Sequence, residues 1–180
     1  MFALLVNTRR MIIMDKRLGF KWNLINVYGV ARVKDKKEFL VDLVHALGYN
    51  KLPYVLGGGF NLIRRINERN KIKKLHKWSF YFNSIIEHWG LKELDLSGRS
   101  YTWSNNQEDP LFAKLDRILV SSLWEQQFPL VTVRTLVRGV PDHATLLLHT
   151  GIKSTINRKP FKFELCWLSR EELPVIVNKS

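Results

Sequence analysis

Residues 51–65 read KLPYVLGGGFNLIRR, and this stretch decides the fold. Pro53, Tyr54, Val55 and Leu56 form a short apolar run, the pattern of a strand buried inside a sheet. The run enters Gly57, Gly58 and Gly59, where a tight turn is expected. Glycine, and Asn61 just beyond it, tolerate the positive φ that such a turn requires.

Working outward, residues 21–28 (KWNLINVY) alternate and are β-rich, which predicts a strand, with residues 10–15 as its hairpin partner. Residues 35–47 place Phe39, Leu40, Leu43, Val44 and Leu47 at helical spacing, and Gly48 is a stop signal. Residues 78–89 place Phe82, Ile85, Ile86 and Trp89 on one helical face. Residues 100–104 and 114–120 are predicted as two strands joined by the polar loop NNQEDP. Further strands are expected at 132–136 and 145–149, split by RGVPDH, and a last one at 160–167. Strands mixed with two or three helices predict a layered α/β or α+β sandwich.

With 180 residues the chain has room for one core of ordinary size. Hydrophobic residues make up 46% of it, enough for a packed interior and too many for global disorder. Lys and Arg number 29 against 16 Asp and Glu, a net charge of +13 that attracts polyanions, of which nucleic acid is the commonest. A domain that is merely basic is the plain alternative. The lone Cys166 forms no internal disulfide and fits a reducing compartment. The apolar start precedes Arg9 and Arg10, the reverse of a secretory signal. No apolar run approaches the ~20 residues that cross a bilayer, so an intracellular chain without a membrane partner is expected.

Four short segments lie at or just after predicted strand ends, where sites are usually built. They are NVYG (26–29), GGGFN (57–61), KLDR (114–117) and PDH (141–143). Singly, each has a plain explanation. Asp142 and His143 read as a turn aspartate beside a surface histidine, and Asp116 as a surface partner of Arg117 or Lys114. The glycines read as a turn, and Tyr28 as core.

In order, with YTWS (101–104) and KLDRILVS (114–121) between them, they resemble the endonuclease/exonuclease/phosphatase superfamily, which includes DNase I and the apurinic/apyrimidinic endonucleases. The text around the motifs is most similar to the endonuclease domain of LINE-type, non-LTR retrotransposon polyproteins, from about Lys21 to Trp167. The resemblance implies an α+β fold, a two-layer β-sandwich flanked by helices, with residues 1–168 as the domain and 169–180 as a tail. It also implies a Mg²⁺-dependent DNA endonuclease and a nuclear location. Carried over by position, His143 contacts the phosphate, Asp116 orients it, and Asn61 holds the attacking water. Tyr28 hydrogen-bonds a phosphate oxygen, and Asp142 supports the metal or its water network. Arg64, Arg65, Lys73 and Lys74 stand in basic clusters suited to phosphate contacts, or equally to a solvated surface.

Three departures bear on activity. The aspartate of the family's GDFN is Gly59 here, so the expected proton acceptor is absent, and the amide of Asn61 is no substitute. No segment matching the family's early strand and metal-binding glutamate precedes residue 10, so the sandwich is expected to be incomplete at the N-terminus, opening one sheet edge. Val30 and Pro141 replace the proline of NVYxP and the serine of SDH. An impaired nuclease is therefore expected. A non-catalytic nucleic-acid-binding module, or a relic without function, stands beside that reading.

Overall fold

The structure, a computed structural model, describes residues 8–48, 51–71, 74–136 and 142–151. The expected strand at 160–167, the tail at 169–180 and the apolar start at 2–6 lie outside the described residues. The chain begins with β1 (Thr8–Asp15), β2 (Phe20–Tyr28), α1 (Lys36–Gly48) and β3 (Tyr54–Gly59). Helix α2 (Lys77–His88) follows, then β4 (Leu91–Glu93), β5 (Leu96–Ser97), β6 (Trp103–Ser104), β7 (Phe112–Ala113) and β8 (Asp116–Ser121). Helix α3 (Ser122–Gln127), β9 (Thr132–Leu136) and β10 (Thr145–His149) complete the described elements.

The main sheet has the order β1-β2-β3-β8-β4, and a smaller one the order β10-β9-β5. Strands β1 and β2 form the expected antiparallel hairpin, from Thr8↔Val27 to Asp15↔Phe20. Strand β3 runs parallel to β2, the two joined through α1, and β8 returns antiparallel beside β3.

Alternation along the central strands sorts their side chains into two cores. Ile25, Val27, Tyr54, Leu56 and Leu119 face α1 and α2, where they meet Phe39, Leu43, Leu47, Phe82 and Ile86. Trp22, Val55, Ile118 and Val120 face the other way, against Trp124 and Phe128 and the inner side chains Val133, Leu146 and Leu148 of the second sheet. The result is helices on one face of the main sheet and a second sheet on the other, a mixed α+β sandwich.

Two local expectations differ from what is found. Residues 100–104 and 114–120 do not form one hairpin, because β6 pairs with β7 in a separate two-stranded ribbon while β8 enters the main sheet. The glycines also form no turn. They continue β3, so that Gly57, Gly58 and Gly59 pair with β2 on one side and β8 on the other. Close approach explains their lack of side chains: Gly58 has φ +136°, and a Cβ there would lie 2.2 Å from the Val27 carbonyl oxygen. A Cβ at Gly57 would meet only Ile118 Cγ1, at an ordinary 3.8 Å.

Gly58→Ala should therefore destabilise the fold by about 2–4 kcal/mol, and Gly57→Ala by roughly 1 kcal/mol or less. Urea unfolding of the two variants checks this, and equal losses would refute the account of the triplet.

Candidate active site

Because paired residues share a face, the ends of β2, β3 and β8 place Tyr28, Gly59 and Asp116 in one row across the sheet. The row lies on the side of Ile118 and Val120, at the rim of the sandwich. Tyr28 is not core: it is 73% exposed and extends the row towards solvent. The loops following β2 and β3 are closely joined. The Gly29 amide donates to the Gly59 carbonyl at 2.6 Å, and a Cβ on Gly29 would lie 2.1 Å from the Phe60 oxygen. Asn61, with φ +52°, donates its side-chain amide to the Gly29 carbonyl at 2.6 Å. Its Oδ1 is the end of the amide that can accept from water.

Lys36, not singled out in the sequence, holds the same two loops from beneath. Its Nζ donates to the carbonyls of Val30 at 3.0 Å and Asn61 at 2.8 Å, and burial pushes its pKa down. The available signal was its place on the buried stripe of α1, one turn before Phe39 and Leu40.

Asp116 is buried, and its Oδ2 lies 2.9 Å from Nδ1 of His143. With Nδ1 on the carboxylate, Nε2 is the ring nitrogen left for a ligand, and the side chain is 38% exposed. Backbone contacts fix both partners. The Thr102 hydroxyl accepts from the amides of Leu115 (3.0 Å) and Asp116 (2.9 Å). The Ser104 amide donates to the Asp142 carbonyl at 2.9 Å, and the Ala144 amide to the Thr102 carbonyl at 2.7 Å. The segment 101–104 thus holds 142–144 against the start of β8. Asp142 is exposed, with its carbonyl in that backbone bond, and the Trp103 ring sits 6.5 Å from the His143 ring.

Beneath Asp116 lies a buried charge cluster. Arg117 has no exposed side-chain surface and donates to Glu68 at 3.0 Å, Glu93 at 3.1 Å and the carbonyls of Leu62 and Lys114 at 2.8 Å. Glu93 also receives Lys114 at 2.7 Å and Arg64 at 2.6 Å. Asp116 is therefore not a surface partner of Arg117 or Lys114, since both cations serve Glu93. Arg64, expected among phosphate contacts, is mostly buried between Glu93 and Asn83 and is not a free cation. Arg65 and Lys74 are exposed, and Lys73 lies outside the described residues.

Burial alone would raise the Glu93 carboxyl. The Arg117 guanidinium, with hydrogen bonds from Lys114 and Arg64, overcomes this and holds it at about 2 against an ordinary 4.5. A depressed carboxylate stabilises the fold above its unfolded pKa and loses that contribution as pH falls through the folded one. The window here runs from 4.5 down to about 2, and the contribution is about 3 kcal/mol. Glu93→Gln should unfold at lower urea at pH 7, with its deficit against the native chain shrinking as pH approaches 2. Parallel stability curves would show that Glu93 does not carry the effect.

Magnesium takes hard oxygen ligands, mainly carboxylates, and keeps several waters. Among the described residues no group of three Asp, Glu, His or Cys stands together. Of the 16 acidic residues all but Glu164, Glu171 and Glu172 are described. Asp116 is engaged by His143, and Glu68 and Glu93 by Arg117. Among the described residues this leaves Asp116 Oδ1 and the exposed Asp142 as the carboxylate oxygens beside His143, a sparse donor set for a magnesium ion.

No family model and no curated protein matches the chain. Several solved structures do. The endonuclease domain of TRAS1, a telomere-specific non-LTR retrotransposon, matches with a TM-score of 0.65 at 14% identity, over 82% of this chain and 64% of that one. The 3' phosphatase NExo from Neisseria, bound to product DNA hairpin, matches with a TM-score of 0.57 at 20% identity, over 78% and 64%. The AP endonuclease LMAP from Leishmania major matches with a TM-score of 0.60 at 14% identity, over 78% and 53%. The chain spans less than two thirds of each of these proteins. At such identities the likeness is one of architecture: the chain shares the mixed α+β sandwich fold of these structures.

Proposed function

We propose that the chain is a DNA-binding domain derived from a non-LTR retrotransposon endonuclease, with cleavage impaired or lost. The observation that carries the reading is the Asp116–His143 pair at the end of the row Tyr28, Gly59, Asp116. In this reading Nε2 of His143 contacts a phosphate oxygen and the Tyr28 hydroxyl a second one. Asn61 accepts from a water beside the phosphorus. Asp116 keeps the imidazole in one orientation, as a positioning residue.

Hydrolysis then needs a group to take the water's proton. Gly59 offers none, and losing a general base costs about 10²–10⁴-fold in rate. Asn61 cannot replace it, because an amide is not basic. Binding is supported by the +13 net charge and by exposed cations such as Arg65 and Lys74.

Two measurements test the proposal. A supercoiled plasmid in Mg²⁺ should be nicked no faster by the native chain than by His143→Ala, and nicking that His143→Ala abolishes would show a working nuclease. Duplex DNA should bind at 50 mM salt and weaken at least about tenfold by 200 mM, as counterion release requires. Absence of binding at low salt would remove the DNA reading.

A further inference from the structure

We infer that the Tyr28–Gly59–Asp116–His143 row captures a phosphate group without any divalent cation. The inference rests on the DNA reading above and deepens it by naming what neutralises the phosphate. A metal ion in such a cleft would bring positive charge to the phosphate oxygens, and carboxylates would hold it there. In this chain the carboxylate is missing at position 59, where nothing projects from the floor of the row.

The carboxylate that remains in the row faces a different partner. Asp116 Oδ2 lies 2.9 Å from His143 Nδ1, so the imidazole takes one oxygen of this carboxylate and only Oδ1 faces position 59. Behind the row, on the other face of the sheet, Glu68 and Glu93 are held by Arg117, with Arg64 and Lys114 also on Glu93, which leaves Asp142, exposed beside His143, as the other acid near the row. What the row presents to an anion is the Nε2 edge of a 38%-exposed imidazole and the hydroxyl-bearing ring of Tyr28. The Tyr28 hydroxyl can donate to a phosphate oxygen, and Nε2 donates to one when the ring is protonated, since Nδ1 is committed to Asp116.

Position 59 then decides which kind of ion the row accepts. A Cβ there would lie 3.1 Å from Asp116 Oδ1. Aspartate at 59 would thus stand beside Asp116, two like charges that repel an anion and attract a divalent cation. With glycine, Asp116 is the one carboxylate left in the row, with its Oδ2 on His143, and the repulsion of an anion is smaller.

The test follows the His143 ring signals by NMR at fixed pH, assigned with His143→Ala, while inorganic phosphate is added to the full chain. One series contains EDTA and the other 5 mM Mg²⁺. Phosphate should shift the His143 signals in both series with affinities within about twofold of each other. Gly59→Asp, its fold checked by circular dichroism, should bind phosphate at least about tenfold more weakly in EDTA and recover in Mg²⁺. Shifts that appear only with Mg²⁺ in the native chain would overturn the inference. So would phosphate that leaves His143 unmoved in both series while duplex DNA still binds, and in that case the DNA reading stands. Loss of both phosphate and DNA binding would remove the two together. The native chain's own series decides the matter even if Gly59→Asp does not fold.

Discussion

Arg117 is a guanidinium with no contact with solvent, and the rest of the cleft depends on how its charge is met. A buried charge is tolerated only when ion pairs and hydrogen bonds replace its water. Arg117 finds these in Glu68 from the loop after β3, Glu93 from β4, and the carbonyls of Leu62 and Lys114. Three separate stretches of chain are therefore drawn to one point, directly behind the residue preceding Arg117 in β8. Alternation sends Asp116 to the opposite face, so the same strand that is fixed by Arg117 on one side presents its carboxylate on the other. Removing either glutamate would leave Arg117 with one buried carboxylate in place of two, a larger penalty than losing a surface pair.

Much of this architecture was legible in the sequence. The alternation of residues 21–28 and the helical spacing within residues 35–47 and 78–89 are local signals, and β2, α1 and α2 follow them closely. The glycine triplet was misread as a turn because composition alone cannot separate a glycine that bends the chain from one that lets strands approach. Gly58 needs both its φ and its contact with Val27, and the second is visible only once β2 and β3 are paired. Helix α3 was missed because its six residues, SLWEQQ, are too few to show a period.

The chemistry of the cleft was legible in part, for a related reason. Tyr28, Asn61, Asp116 and His143 could be selected by motif order, but their distances could not. The cation network was not foreseen, since Arg117 lies 49 positions from Glu68 and 24 from Glu93, and no local pattern links them. Arg64 shows the effect most plainly: in sequence it sits in a basic run, and in the fold it serves a buried carboxylate. Lys36 is the converse, a lysine on an apolar stripe whose ammonium binds two loop carbonyls.

The unequal space around the glycines of β3 has a genetic reading. At Gly58 any side chain collides with the Val27 carbonyl, so every amino-acid replacement there costs folding stability. At Gly59 the nearest obstacle is a side-chain oxygen, Asp116 Oδ1, at 3.1 Å, which would have to shift by only a few tenths of an ångström. Glycine and aspartate codons can differ by a single base. Exchange between them at position 59 therefore alters the charge of the cleft at a smaller steric cost than any replacement at Gly58. Two adjacent residues of one strand thus mutate under different rules, one governed by shape and the other by charge.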